Sequence, residues 1–455
     1  MVGNGMEWYD FGIYGYLTAT MTTVFVPDVP KEWQLVVVLA GFAVSFLVRP
    51  VGGLVLGPLG YRIGRQRTLA LTMIMMAVAT AAIGLLPTSA QVGTWALAGL
   101  IACRVVQGFS TGGEYAGATT FVSEYAPDGR RGFFASILDV GSYLGFAVGA
   151  AVVALLQVTL GQQTMLDWGW RVPFLLALPL GAVALSFRLK IEESPTFEQT
   201  HDVDTSELDV PDSEKRLGAL GIVRHHWRPI LIAIALVGAT NTAGYSLTSY
   251  MPAYLEETHG YTAVQASLAT IPALVALSIA VPFVGRLSDR IGRKPVYAIA
   301  IGSAIVLTVP AYLMMANPSL VMVAMGMLAF SVLFYIAISA SALPALFPTA
   351  SRYGAMGIAY NLSVSLFGGT APMIGELLIK VTGISIAPAF YTIAFAVLGG
   401  IALLSMKESA RRPLPGSMPT VASSEEAREL VATQDDNPDL DTDELPFELH
   451  DATRG

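Results

Sequence analysis

The chain has 455 residues, of which 54% are hydrophobic and only 13% charged, and its mean hydropathy is +0.59. A soluble domain carries about 25% charged residues, so this composition excludes a soluble globular protein and indicates one that crosses a membrane many times. The net charge of −8 belongs to the end of the chain: from Pro413 onward eleven Asp and Glu stand against two Arg, which leaves the remainder close to neutral.

About 20 apolar residues are needed to cross a bilayer as a helix. In chain order this predicts twelve spans, at 4–27, 34–59, 67–87, 93–125, 132–157, 169–189, 226–256, 262–285, 294–315, 319–347, 353–379 and 385–406. Several exceed the minimum length, which implies tilt or extension beyond the lipid. Met1 opens almost directly into the first apolar run with no cleavable signal peptide, which points to a shortened start. Residues 190–225 form the longest internal link and divide the chain into an N-terminal bundle, 1–189, and a C-terminal bundle, 226–406. Residues 407–455 turn Pro- and Ser-rich and then acidic without heptads, and are expected to be a disordered cytoplasmic tail. With the N-terminus inside, 19 of the 26 Lys and Arg fall on cytoplasmic segments and only Lys31, Arg171 and Lys380 on the outer side. That asymmetry predicts both termini in the cytoplasm.

Between the second and third spans stands GPLGYRIGRQR, residues 57–67; between the eighth and ninth stands GRLSDRIGRKP, residues 285–295. A short Gly- and Arg-rich link repeated half a chain apart is the mark of a duplicated membrane unit. It resembles the loop of the major facilitator superfamily written G-x-L-x-D-R-x-G-R-R/K. The second copy fits throughout, with Gly285, Asp289, Arg290, Gly292, Arg293 and Lys294. The first has Tyr61 where the family places Asp. GNGMEWYDF at 3–11, QGFSTGGEY at 107–115, DWGWRVPF at 167–174 and ESPTF at 193–197 narrow the likeness to the metabolite:proton symporter family.

The resemblance implies an all-α membrane protein with the major facilitator fold of two six-helix bundles. It implies a secondary transporter of a bacterial inner membrane, not an enzyme, that imports a small zwitterionic osmolyte such as proline, glycine betaine or ectoine with a proton. In the family the loop Asp caps a helix and pairs with Arg, so Arg62, Arg65, Asp289, Arg290 and Arg293 are the expected gating residues. A proton symporter of a carboxylate such as 2-oxoglutarate or citrate is the alternative, and a membrane sensor that no longer transports is a third reading.

An ionisable group in hydrocarbon costs roughly 2.5–3.5 kcal/mol or more unless paired or wet. Glu7, Asp10, Arg49, Arg104, Glu114 and Asp139 lie within N-terminal spans, whereas Glu376, four residues before Lys380, is the comparable charge of the C-terminal half. Arg104 begins R-x-x-x-G-x-x-x-G. By resemblance this is the fourth-helix motif whose Arg faces an acid on the first helix, and Asp10 is the matching acid. A carboxylate beside a guanidinium holds its charge, and separating the two lets it take a proton. Asp10, Arg104, Glu7, Glu114 and Asp139 are therefore the expected proton-coupling residues. A zwitterion needs aromatic faces for its cation and donors for its carboxylate, for which Trp8, Tyr14, Glu114, Tyr115, Asn241, Tyr245 and Tyr335 are candidates.

Gly108, Gly112, Gly113 and Gly117, then Gly141, Gly145 and Gly149, recur at about four residues, a spacing that lets helix backbones approach. Cys103 is the single cysteine, and the five histidines lie outside or at the edges of apolar runs. No disulfide, metal site or cofactor is expected. No P-loop GxxxxGK[ST] occurs, so ATP-driven pumping is unsupported. The expected partners are a small-molecule substrate, protons and the lipid bilayer, not nucleic acid.

Overall fold

The computed structural model describes residues 2–63, 65–112, 114–189, 219–417 and 419–433. These are helical throughout the membrane region, with no strand among the described residues. The first bundle comprises α1 (Val2–Tyr16 and Thr18–Phe25), α2 (Lys31–Ile63), α3 (Arg65–Leu85), α4 (Trp95–Ser110 and Glu114–Tyr125), α5 (Arg131–Thr164) and α6 (Arg171–Leu175 and Ala177–Leu189). The second comprises α7 (Trp227–Tyr245 and Met251–His259), α8 (Ala263–Ile291), α9 (Arg293–Met314), α10 (Val321–Ala342), α11 (Thr349–Ser363 and Ala371–Thr382) and α12 (Ala387–Ser405).

Among the described residues nine helices are long and apolar enough to cross a membrane. The remaining three predicted spans, 4–27, 93–125 and 169–189, are built of shorter helices. The first breaks where Leu17 leaves helical geometry (φ −100°, ψ 5°). The second breaks after Ser110, where Thr111 (φ −91°, ψ 0°) adjoins Gly112. The third stays helical through Leu176 (φ −63°, ψ −18°) and falls short only in length, as Arg171–Ser186. In the second bundle α7 and α11 stay continuous but each contains a π-helical turn, Ser246–Tyr250 and Val364–Gly368. Such turns displace a side chain from the regular helix face and recur at functional sites.

Leu54, Leu85, Phe283 and Leu404 are exposed on the outer surface, as apolar side chains facing lipid would be. The core runs through both bundles and the seam between them. Along the seam α5 packs on α8. Their backbones meet at two glycines: a Cβ on Gly285 would lie 2.6 Å from the Gly132 carbonyl oxygen.

The end of the seam that carries the repeated loops is heavily charged. There Asp289 accepts from the backbone N–H groups of Gly132 (2.8 Å) and Phe133 (2.9 Å), capping the start of α5 from the other bundle. It pairs at the same time with Arg293 at 2.7 Å. Gly292 between them adopts φ 103°, a left-handed conformation open to glycine, which explains that position in the loop. Arg352 of α11 pairs with Glu124 of α4 at 2.7 Å, and Ser123 donates to the Ala340 carbonyl at 2.8 Å. The opposite half of the seam has fewer and neutral links, including Tyr16 to Thr270 at 3.0 Å and Ser365 to the Phe46 carbonyl at 2.6 Å.

The expectation of a disordered tail over 407–455 is corrected for its first part. Residues 408–417, with 419–420, cross the charged end as a strap touching both bundles. Glu408 accepts from the backbone N–H groups of Arg293 and Lys294 at the start of α9 (2.7 and 3.0 Å), a favourable place for a carboxylate at a helix N-terminus. Arg131 donates to the Arg412 carbonyl (2.9 Å) and Arg352 to that of Pro415 (2.7 Å). Leu414 is buried. Asp128 and Thr420 exchange two hydrogen bonds, at 2.8 and 3.0 Å. A last helix, α13 (Ser424–Thr433), follows. These contacts exist because this stretch carries backbone carbonyls, a buried leucine and one acid, while the bulk of the negative charge comes later. Residues 434–455 lie outside the described residues, as do 190–218 of the central link. The described end of that link, Ala219–His225, is helical.

Candidate transport site

A cavity of about 50 Å³ lies in the seam between the bundles. A buried water requires about 10–15 Å³ by a comparable measure, so the space suits a compact solute. From the first bundle come Trp8, Tyr115, Asp139, Tyr143 and Phe146; from the second come Thr240, Asn241, Tyr245, Ser339 and Tyr360. Among the described residues its lining includes one carboxylate and no Lys, Arg or His.

Helix packing fixes these side chains. Trp8 donates its indole N–H to Asn4 (3.0 Å), and Asn4 anchors on α5 through the Leu138 carbonyl (2.9 Å) and Ser142 (2.8 Å). The indole then packs against Phe146 and Tyr245, with ring centroids 5.4 and 5.9 Å away. Tyr115 and Tyr360, from opposite bundles, stack at 4.5 Å and 18°. The Tyr115 hydroxyl donates to Asp139, lying 3.1 and 3.4 Å from its two oxygens. On the other wall the hydroxyls of Thr240, Thr248 and Ser339 donate to carbonyls of their own helices. The Tyr245 hydroxyl is buried without a partner.

Four further charged residues lie inside the first bundle. Glu7 pairs with Arg49 at 2.9 Å, and the Arg49 guanidinium lies over Phe46 (4.3 Å) and Phe11 (5.0 Å). Asp10 and Arg104, expected as a direct pair, are instead joined through two neutral side chains. Arg104 Nη1 donates to Gln107 Oε1 (2.9 Å), Gln107 Nε2 donates to Thr80 Oγ1 (2.6 Å), and Thr80 donates to Asp10 Oδ2 (2.7 Å). All donors point toward the carboxylate, so each bond polarises the next. Asp10 Oδ1 and Arg104 Nε and Nη2 are buried without partners. The guanidinium rests 3.9 Å from the Tyr14 ring centroid.

The structure therefore divides the sequence candidates. Trp8, Tyr115, Asn241 and Tyr245 line the cavity, and Asp139, expected among the proton-coupling residues, lines it with them. Tyr14 lies elsewhere: its hydroxyl donates to the Val38 carbonyl at 2.8 Å within the first bundle. Tyr335 is buried against Tyr297 and is not a lining residue. Glu114 opens the second piece of α4, half-buried and outside the lining. Among the gating candidates Asp289 and Arg293 bridge the seam region as described, while Arg290 is exposed. The side chains of Arg62 and Arg65 lie outside the described residues. Thr80 and Gln107 were not among the candidates. Gln107, an amide three residues after Arg104 in an apolar segment, carried a legible signal; Thr80 carried none.

The comparisons with known proteins agree with this architecture. The family model described as "Sugar (and other) transporter" matches residues 1–208, and that described as "Major Facilitator Superfamily" matches residues 265–433. The solved structure of a proton:xylose symporter, XylE, superposes with a TM-score of 0.69 at 20% identity, covering 91% of this chain and 95% of that one. With relatives of 57%, 40% and 39% identity named as transporters, the chain is a membrane transporter of the major facilitator superfamily, and not an enzyme.

The "Ectoine/proline transporter ProP" of Corynebacterium glutamicum is 57% identical over 98% of this chain and 90% of its own length. The "Proline/betaine transporter" of Escherichia coli K12 is 39% identical over 99% and 90%. The "Glycine betaine/proline/ectoine/pipecolic acid transporter OusA" of Dickeya dadantii is 40% identical over 96% and 87%. Within the superfamily, the chain belongs to the same family as these named transporters.

Proposed function

We propose that this protein imports a small zwitterionic osmolyte, such as ectoine, proline or glycine betaine, together with a proton, by alternating access between its two bundles. The observation that carries the reading is the cavity: it holds several aromatic rings and one carboxylate, with no basic side chain among its described lining. A compact cation-bearing solute suits that chemistry, because aromatic faces and a carboxylate attract an alkylammonium group. The printed substrates of the 57%, 40% and 39% identical relatives support the same class. Proton coupling is assigned to Asp10 and its relay to Arg104, with Glu7 and Arg49 beside it. The distribution of basic residues supports an inner-membrane orientation with both termini and the charged seam end in the cytoplasm.

A carboxylate symporter would need cationic groups in the cavity. Arg49 and Arg104 lie outside its described lining, Arg49 paired with Glu7 and Arg104 hydrogen-bonded to Gln107. The test is uptake into proteoliposomes under an imposed pH gradient, across ectoine, proline, glycine betaine, 2-oxoglutarate and citrate. Gradient-driven accumulation of the zwitterions is expected. Accumulation of the carboxylates alone would overturn the reading.

A further inference from the structure

We infer that Asp139 is the counter-ion for the cationic end of the transported molecule, so that the substrate spans the seam with its ammonium on the first bundle and its carboxylate on the second. The inference rests on the zwitterion reading above and assigns the two poles of that site.

Three observations lead to it. Asp139 is 5% exposed, lines the cavity, and has no Lys, Arg or His among its partners; its hydrogen-bond donor is the neutral hydroxyl of Tyr115. A buried carboxylate needs a positive partner or a proton, and the relay around Asp10 already supplies a separate ionisable group to the first bundle. Four aromatic rings share the lining with Asp139: Tyr115, stacked on Tyr360, together with Tyr143 and Trp8. Carboxylate plus aromatic faces is the chemistry that holds methylated or cyclic ammonium groups, which carry few or no N–H donors.

On the opposite wall Tyr245 of α7 has a buried hydroxyl with no partner, while the neighbouring Thr240, Thr248 and Ser339 hydroxyls are engaged by backbone carbonyls. That phenol, with the Asn241 amide on the same helix, offers the second bundle donors for a substrate carboxylate. A molecule with both charges would therefore touch both bundles at once, whereas a group that only carried protons would have no need to face the shared cavity.

The experiment measures two quantities in proteoliposomes, for wild type and variants: accumulation driven by a pH gradient, and counterflow exchange with no gradient. The probes are glycine betaine, choline as a cation without a carboxylate, and 2-oxoglutarate as an anion without a cation. Glycine betaine exchange should fall more than tenfold in Asp139→Asn and recover in part in Asp139→Glu, which separates loss of charge from misfolding. Tyr115→Phe, which removes the donor but keeps the stacking ring, should raise the half-saturating concentration about tenfold, the order expected for one hydrogen bond to a charged group.

If Asp139→Asn exchanges glycine betaine at the wild-type rate, with or without accumulating it, the counter-ion assignment fails and the zwitterion reading stands. If wild type takes choline but not glycine betaine, and Asp139→Asn loses choline, the assignment stands and the zwitterion reading fails. If wild type takes only 2-oxoglutarate, both fail.

Discussion

The two bundles share a span count and a duplicated loop, yet they handle charge and packing in opposite ways. The first carries Glu7, Asp10, Arg49, Arg104 and Asp139, all buried. In the second the matching depth holds hydroxyls, amides and rings. Its buried Glu376 is neutralised near a helix end by Lys380 (3.3 Å) and by the hydroxyl of Tyr250 (3.0 Å). The glycines differ in the same sense. A Cβ on Gly108, Gly112 or Gly145 would overlap backbone atoms of a neighbouring helix of the same bundle, whereas in the second bundle Gly302, Gly326 and Gly357 have nothing within 4 Å of that position and the tight Gly285 and Gly369 face the first bundle. Tight glycine packing holds α4 against α2 and α5 against α1, the helices that carry Arg104, Arg49, Asp139, Glu7 and Asp10. A buried charge network requires that closeness, since each charged group left unpaired in hydrocarbon costs several kcal/mol.

The contrast can be broken or sharpened by substitution. Gly108→Leu should have the largest effect. Its side chain would be driven into the Ser45 backbone, and overpacking of this kind costs about 1–3 kcal/mol or more. The purified protein should melt several degrees lower, whereas Gly302→Ala, with open space, should not destabilise at all. Equal melting shifts for the two would show that the bundles are packed alike.

Thr80→Val should come next. It removes the hydrogen bond to Asp10, worth about 1.5–3 kcal/mol for a charged acceptor, and severs the relay. Gradient-driven accumulation should fall roughly tenfold or more while exchange persists. Glu376→Gln should leave the accumulation ratio within about twofold, because that acid is paired at a helix end remote from the relay. A collapse of accumulation in Glu376→Gln would place coupling in the second bundle as well.

The smallest expected effect concerns the strap. Truncation after Thr433 removes none of its hydrogen bonds and should leave transport unchanged. Truncation after Lys407 removes the Glu408 cap on α9 and the links from Arg131, Asp128 and Arg352. A cysteine placed at the charged end should then react faster with a thiol probe. Identical labelling of the two truncations would show that the strap does not hold the bundles together.

The spans were legible in the sequence because twenty-residue apolar runs leave few alternatives. The repeated loop was legible because its glycine and its capping acid have local jobs: Gly292 must adopt a positive φ and Asp289 must reach a helix start. The breaks in α1 and α4 were less visible, since an apolar run reads the same whether or not its helix is continuous. The Asp10–Arg104 relation was readable as an association of helices. Its relay was not, because whether Thr80 lies between them depends on the rotation of α3, which composition does not encode. Asp139 was read as a coupling acid, with pairing to Arg49 or binding of a cationic substrate as alternatives, because nothing along the chain says that its side chain faces the other bundle. The strap was hidden by averaging: the acids that dominate 413–455 lie mostly beyond the residues that bind.

Asp10→Asn tests the central claim most directly, the claim that proton coupling resides in the relay of the first bundle and not in the substrate cavity. The measurement is glycine betaine transport in proteoliposomes, comparing accumulation under a pH gradient with counterflow at equal pH. Accumulation lost with counterflow retained is the predicted result. Accumulation retained at the wild-type level would contradict it.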